Sequence, residues 1–404
     1  MTPQVLIAGG GIGGLAAALA CARAGCEVRL YEREPAFGEI GAGIQLGPNA
    51  VRVLDGWGLG EALARVAAWP ASLQVRSALS GEPLARMPLG DSFSQRYGAG
   101  YATVHRADLH ALLLAAARQQ RGVRLNLRAG VAGVTPSTTG VVLRTTDDLQ
   151  VEGDALVGAD GLWSKVREQL LGDGPATPTG HLAYRTLVPQ SALPQALRSQ
   201  DVTAWLGPGL HAVTYPVRGG EYLNLVVIAQ GEAPGDPQGW DHGAVLADLQ
   251  VVLQPVCTPL RDLVLAAPRW ALWMLNDRPP VAGPEAMARG RVALLGDAAH
   301  PMRPYLAQGA GMALEDAAEL GRELAMTDAA VLDVPAALHR YALNRWQRVA
   351  RVQARSRRNG RVFHATGAVG LARDMALKLL GQRLLDLPWL YGTVMPRAKN
   401  AANF

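Results

Sequence analysis

Val5-Leu6-Ile7-Ala8-Gly9-Gly10-Gly11-Ile12-Gly13-Gly14 decides the fold. A short apolar strand runs into a G-x-G-x-x-G loop. Leu15 to Arg23 then reads as an Ala-rich helix ending at Gly25, and Glu27 to Tyr31 as a second strand with Glu32 at its end. Strand, glycine loop, helix, strand and acid in that order form a dinucleotide-binding βαβ unit. Gly9 permits the tight turn, Gly11 lets backbone approach a pyrophosphate, and Gly14 lets helix and strand pack closely. The helix N-terminus faces the phosphates, and Glu32 accepts from a ribose hydroxyl. Arg33, next to Glu32, is placed to touch a nucleotide. The motif alone does not separate FAD from NAD.

Three later segments extend this site. Ile40 to Asn49 is glycine-rich, so its backbone can pass close to a flat ligand. Asn49 is placed to cap a helix starting near Ala50. Gln45 reads either as a pocket residue or as a surface polar residue. His105-Arg106-Ala107-Asp108-Leu109-His110 opens a helix, with Arg106 a candidate for a pyrophosphate or flavin contact. His105 and His110 read as structural. Ala155 to Arg167 gives a strand running to Asp160 and a helix after Gly161. Asp160 either takes hydrogen bonds from that helix N-terminus or orders the nucleotide, and Ser164 and Arg167 read as structural.

Far along the chain, Val292-Ala293-Leu294-Leu295 drives into Gly296-Asp297-Ala298-Ala299-His300-Pro301. Ala307-Gln308-Gly309-Ala310-Gly311 then opens a helix through Glu315-Asp316-Ala317. This order brings Asp297 to a ribityl or ribose hydroxyl, and the N–H groups of Gly309, Ala310 and Gly311 to an anionic ring edge. That is the pattern of an FAD site. His300 reads as structural.

With 404 residues, 49% of them apolar, the chain holds more than one ordinary domain. Three cysteines (Cys21, Cys26, Cys257) are too few for a disulfide scaffold and lack metal-ligand spacing, so a reducing cytoplasm and no metal are expected. No apolar run approaches a membrane span. The net charge is +5, and eight arginines with no acid fall between Arg340 and Arg361. This run reads as a solvated helix face or a subunit contact, which allows a homodimer. Nucleic acid is not expected, because interleaved aromatics and a second basic element are missing. Alternating stretches between 175 and 285, such as Tyr222 to Ile228, read as antiparallel strands, with 73–100 adding to them. The division expected is an FAD-binding domain (1–72, 101–174, 286–340), a substrate domain (73–100, 175–285) and a C-terminal helical region (341–404).

Taken together, these blocks resemble the single-component flavoprotein aromatic hydroxylases. The matching pieces are the Gly9–Gly14 loop with Glu32, Asp160-Gly161, and Gly296-Asp297 with its following turn. Within that group, Gly41 to Asn49, Ala183-Tyr184-Arg185, His211 to Pro216 and Trp389-Leu390-Tyr391-Gly392 look like the 3-hydroxybenzoate 6-hydroxylase and salicylate hydroxylase branch. The resemblance implies an α/β fold, a Rossmann-like FAD domain with an antiparallel-sheet substrate domain and C-terminal helices. It also implies FAD, with NADH or NADPH and O2 as co-substrates and a small aromatic substrate. Arg106 and Asp297 would hold the pyrophosphate–ribityl region, and Gly309, Ala310 and Gly311 the flavin N1–O2 edge. His211 would be a substrate-site histidine and Tyr215 a partner of the phenol, with Gln45, Tyr184, Pro304 and Tyr305 lining the pocket. One departure is Pro304, where the 3-hydroxybenzoate enzymes tend to carry glutamine. It puts substrate identity in doubt, not flavin chemistry.

The expected reaction is hydroxylation of a phenolic aromatic acid through a flavin C4a-hydroperoxide. His211 acts as base and Tyr215 orients the hydroxyl, the two lying four apart on one strand face. Pro301, Pro304, Tyr305 and Leu306 keep the flavin dry. Arg185 and Arg303 are candidates for the carboxylate. The alternatives are an FAD-dependent oxidoreductase of the same fold that inserts no oxygen, and a hydroxylase of a larger or N-heterocyclic aromatic.

Overall fold

The computed structural model describes residues 2–38, 42–232, 235, 244, 246–267, 269–325 and 333–392. Ile40 and Gly41 of the glycine-rich segment, and residues 393–404, lie outside them. The chain begins with β1 (Gln4–Ala8), α1 (Ile12–Arg23), β2 (Glu27–Tyr31), β3 (Gly43–Leu46), α2 (Pro48–Gly56), α3 (Gly60–Val66), β4 (Ala67–Ala68), β5 (Ser72–Ser77) and β6 (Pro83–Pro88). Next come α4 (Asp91–Tyr97), β7 (Ala102–His105), α5 (Arg106–Arg118), β8 (Val123–Asn126), β9 (Val131–Pro136), β10 (Val141–Thr145), β11 (Gln150–Gly153), β12 (Ala155–Gly158) and α6 (Lys165–Leu171).

Strands β12, β1, β2 and β8 pair in parallel. Their apolar runs are continuous because both faces are covered: helix α1 packs on the sheet, and on β1 Leu6 meets Gly153 of the three-stranded β11-β10-β9 sheet, so Leu6, Ile7, Leu156 and Val157 are fully buried. The second half adds β13 (Thr177–Pro189), β14 (Val202–Gly207), β15 (Leu210–Val217), β16 (Tyr222–Gln230), α7 (Leu246–Val252), α8 (Thr258–Leu265) and β17 (Ala271–Asp277). It continues with β18 (Ala288–Arg289), β19 (Val292–Leu294), α9 (Gly309–Ala325), α10 (Val334–Phe363) and α11 (Gly367–Leu380), followed by the short α12 (Gln382–Leu385) and α13 (Pro388–Tyr391). Strand β19 returns to the first sheet beside β12, with β18 at the edge.

The second sheet has the order β17-β13-β16-β15-β14-β5-β6 and is antiparallel except for the β14–β5 pair. Strand alternation splits its side chains between two environments. Leu182, Tyr184, Leu210, Ala212, Leu225 and Val227 form one core with Leu249, Leu260 and Val264 of α7 and α8. Ala183 and Ile228, on the other face, pack against Tyr305. A small sheet, β3-β7-β4, joins the two halves: Thr103 of β7 donates to Pro216 O of β15 at 2.5 Å.

The arginine-rich segment is helix α10: Arg351, Arg358 and Arg361 are exposed, as a solvated face expects, while other arginines of the run turn inward. Arg345 is buried and pairs with Glu315 and Asp316 of α9, and Arg348 pairs with Glu315. Arg340 pairs with Glu323, and Arg357 with Asp277. Arg351 lies over the Trp389 ring at 4.1 Å. The acids that pair with Arg340, Arg345, Arg348 and Arg357 come from other elements, so a charge count along one helix cannot see them.

Candidate active site

The glycine loop folds as a tight turn into α1. Gly9 has φ +98°, and a Cβ there would sit 2.5 Å from Ala159 O. At Gly14 a Cβ would lie 1.9 Å from Gly9 O, so only glycine allows helix and strand this close. Glu32 accepts from Gly10 N at 2.6 Å and from Glu34 N at 2.9 Å, fixing the loop itself. His110 Nε2 meets Gly10 O at 2.8 Å, which makes it a brace for the same loop. Arg106 is the first residue of α5, and its N–H donates to Ala42 O at 3.2 Å.

The far segment meets this loop directly. A Cβ at Gly13 would lie 2.9 Å from Leu295, and one at Gly296 3.2 Å from Ala313. Asp297 lies in the turn after β19, with Oδ1 4.0 Å from where a Gly309 Cβ would project. Gly309, Ala310 and Gly311 form the first turn of α9, whose N–H groups have no intrahelical acceptor. Arg167 donates to the Ala298 and Ala299 carbonyls and clamps the turn from behind. A glycine turn opening α1, a carboxylate and a second helix N-terminus thus converge, and this donor and acceptor set fits FAD.

Two candidate cofactor residues are engaged by the protein itself, and Asp160 stands beside the glycine loop, its Cα 2.9 Å from where a Gly9 Cβ would project. The Asp160 carboxylate accepts from Ser164 Oγ at 2.5 Å, Lys165 N at 2.8 Å and Val166 N at 3.2 Å, so it caps α6. Arg33 is exposed and pairs with Glu34. Asn49 also departs from expectation. Gly47 is the N-cap of α2, while buried Asn49 donates to Gln308 at 2.9 Å and Glu315 at 2.7 Å.

The face of the second sheet opposite the α7–α8 core carries His211, Tyr215 and Arg185. His211 is 2% exposed, and its Nδ1 lies 2.7 Å from His364 Nε2 at the end of α10. Burial, then the neighbouring His364 and His181, push the His211 imidazole well below its ordinary pKa, so it is neutral near pH 7. Its ring sits 5.1 Å from Tyr305 and 5.4 Å from Phe363. Tyr305 is buried, its hydroxyl has no hydrogen-bond partner, and its ring packs where a Cβ on Gly360 would stand. It follows Pro304, which begins a short turn.

Tyr215 donates to Gly43 O at 2.6 Å, and burial raises its pKa. Gln45 accepts from Tyr101 at 2.7 Å and is part-buried, which places it toward the interior and not on the open surface. Arg185 stacks on Trp273 at 4.7 Å, and its buried Nε has no partner. Arg303 is held by Asp277 at 2.8 Å. Tyr184, expected in the pocket, lies on the opposite face in the α7–α8 core. Adjacent strand residues point to opposite sides, so Arg185 and Tyr184 cannot share one wall.

Sequence reading missed His364, Phe363 and His181. His364 ends a long helix, and only the close of the fold brings it to His211. The signal available was the Phe-His pair at the end of the arginine-rich segment.

Residues 2–212 and 272–356 match the FAD binding domain family. A 3-hydroxybenzoate 6-hydroxylase from Polaromonas naphthalenivorans is 40% identical over 390 residues, covering 96% of this chain and 95% of its own. Among solved structures, Klebsiella pneumoniae HpxO complexed with FAD and uric acid superposes with a TM-score of 0.83 at 27% identity, covering 95% of this chain and 94% of that one. A salicylate hydroxylase substrate complex gives a TM-score of 0.82 at 28% identity, covering 97% and 96%. The chain belongs to the FAD binding domain family, as one of its flavoprotein aromatic monooxygenases.

Proposed function

We propose that this FAD-dependent hydroxylase acts on a phenolic aromatic acid of the 3-hydroxybenzoate or salicylate type, with NAD(P)H and O2 as co-substrates. The observation that carries the reading is a buried neutral imidazole, His211, on the strand face it shares with Tyr215 and beside the Tyr305 wall. FAD, when bound, takes electrons from NAD(P)H and passes one oxygen atom of O2 to the ring. The chain's own part is to bind, orient and deprotonate. Gly9, Gly11 and Gly14 hold the pyrophosphate, Glu32 the ribose, and Arg106 and Asp297 the central region. The N–H groups of Gly309, Ala310 and Gly311 face the ring edge.

Attack on the ring needs electron release from the phenol oxygen. A neutral imidazole is a competent acceptor for that proton. Tyr215, with its hydrogen committed to Gly43 O, offers lone pairs to a donor. Arg185 is the cation for the carboxylate, its Nε buried and unpartnered. Pro304 and Tyr305 exclude water.

The residue groupings 1–72, 101–174 and 286–340, against 73–100 and 175–285, with helices from 341 on, are proposed as the working division. No helix among the described residues is long and apolar enough to cross a membrane. Cysteines Cys21, Cys26 and Cys257 are free, in keeping with a cytoplasmic setting. The exposed Leu371, Met375 and Leu379 of α11 are in keeping with a homodimer.

His211→Ala tests the assignment. Coupled hydroxylation of 3-hydroxybenzoate should fall by about 10²–10⁴-fold, the usual contribution of a general base, while FAD stays bound. Unchanged coupled turnover would remove His211 from the reaction.

A further inference from the structure

His211 is not alone on its wall. Its Nδ1 lies 2.7 Å from Nε2 of His364, both rings are buried, and the pair is walled by Tyr305 and Phe363. His364 is 7% exposed, and its Nδ1 has no hydrogen-bond partner. The ring of part-buried His181 stands 4.8 Å away, edge to face. From the interior outward the order is His211, His364, His181.

A contact of 2.7 Å between two neutral imidazole nitrogens holds one hydrogen. With it on His211 Nδ1, Nε2 of His211 is a lone pair and can accept a proton. With it on His364 Nε2, His211 carries its hydrogen on Nε2 and can donate to a phenolate. Deprotonating a phenol and then holding the phenolate requires the first form followed by the second.

We propose that His364 completes the proton transfer begun by His211, in a two-imidazole relay that rests on the phenol-hydroxylase reading above. The phenol O–H bond breaks and its proton forms a bond with His211 Nε2, the electron pair staying on the phenol oxygen. The Nδ1 hydrogen of His211 passes to Nε2 of His364. The Nδ1 proton of His364, which meets no protein acceptor, is then released to a water molecule that enters beside part-buried His181. Both imidazoles end neutral, and His211 is left as a donor to the phenolate. His364 touches neither substrate nor cofactor and is a positioning residue.

The test uses the FAD-loaded protein with His364→Gln, His364→Ala and His211→Ala, and the two alanines combined. Glutamine can hold His211 but cannot take up a proton. His364→Gln should therefore lower kcat for 3-hydroxybenzoate about 10-fold to 100-fold, within the range of proton-transfer catalysis, and leave its binding, read from the flavin spectrum, unchanged. Imidazole in the buffer should restore His364→Ala. The double variant should be no worse than His211→Ala, because the two act as one unit. A full kcat in His364→Gln, or independent losses in the double variant, would overturn the relay.

A second readout needs no turnover. In ¹⁵N-histidine spectra of the holoenzyme, the His211 Nδ1–H form should be lost in His364→Ala. An unchanged His211 tautomer would overturn the proposal. If the wild type hydroxylates no phenolic acid, the substrate reading fails on its own, and this spectrum still decides the pairing.

Discussion

His300 Nε2 lies 2.5 Å from Asp316 Oδ2, and neither side chain meets solvent. The same carboxylate accepts from Gly296 N at 3.1 Å and from Arg345 Nε at 2.7 Å. One buried acid therefore ties the turn that carries Asp297 to α9 and to α10. The Gly296-Asp297 turn is thereby tied to the helix that Gly309 opens. Burial alone would raise the Asp316 pKa. His300 and Arg345 outweigh it and hold the group at about 2.

Asp316→Asn leaves Arg345 in the interior with only Glu315 to balance it. Breaking one arm of a buried pair costs about 3–5 kcal/mol. Urea unfolding should show a loss of that size, with FAD released on gel filtration. Wild-type stability and retained flavin would show that the knot is incidental. By sign, a carboxylate with a depressed pKa contributes stability above its ordinary value near 4 and loses it as pH falls toward 2, so this contribution disappears only in strong acid.

The glycine turn makes a sharper prediction. Gly14→Ala places a methyl group 1.9 Å from Gly9 O, a backbone atom that cannot step aside without opening the loop. The variant should be colourless or insoluble, judged from flavin absorbance of purified protein. A yellow Gly14→Ala protein would contradict the packing described here.

The imidazole pair sets an acid limit on stability. Burial, then His181 and Arg373, push His364 down to about 4. Between an ordinary histidine pKa near 6.5 and about 4, the unfolded chain binds a proton that the folded chain refuses. Stability is therefore full above pH 6.5 and falls as pH drops through this window. The loss at pH 5 is about 2 kcal/mol from His364, with His211 adding in the same direction. His364→Gln should flatten the fall in urea midpoint between pH 7 and pH 5. An equal fall in wild type and variant would assign the acid sensitivity elsewhere.

Arg185 should separate substrates by charge. Arg185→Ala removes the proposed partner of the carboxylate, an interaction of about 1.5–3 kcal/mol. KM for 3-hydroxybenzoate should rise about 10-fold to 100-fold by the same measure, and KM for uncharged phenol should barely change. A uniform rise for both would make Arg185 a support for Trp273 alone.

Legibility in the sequence followed the range of the interactions. The Gly9–Gly14 turn and β1–α1–β2 are local, so strand, loop, helix and acid could be read in order. The second sheet was legible from alternation, and the same alternation should have excluded Tyr184 once Arg185 was placed in the pocket. Asn49 was misread as a cap because its partners, Gln308 and Glu315, come from distant segments. Arg345, Arg348 and Arg357 of α10 were misread for the same reason, since Asp316, Glu315 and Asp277 pair with them from other elements. His364 was invisible because its meaning lies in a contact with His211, 153 positions away.

The most direct measurement is turnover of the purified yellow protein with NADH, 3-hydroxybenzoate and ¹⁸O2, followed by product mass. The account predicts aromatic-acid-stimulated NADH oxidation and a product carrying one oxygen atom from ¹⁸O2. NADH oxidation that leaves 3-hydroxybenzoate, salicylate and the related hydroxybenzoates unlabelled would contradict it.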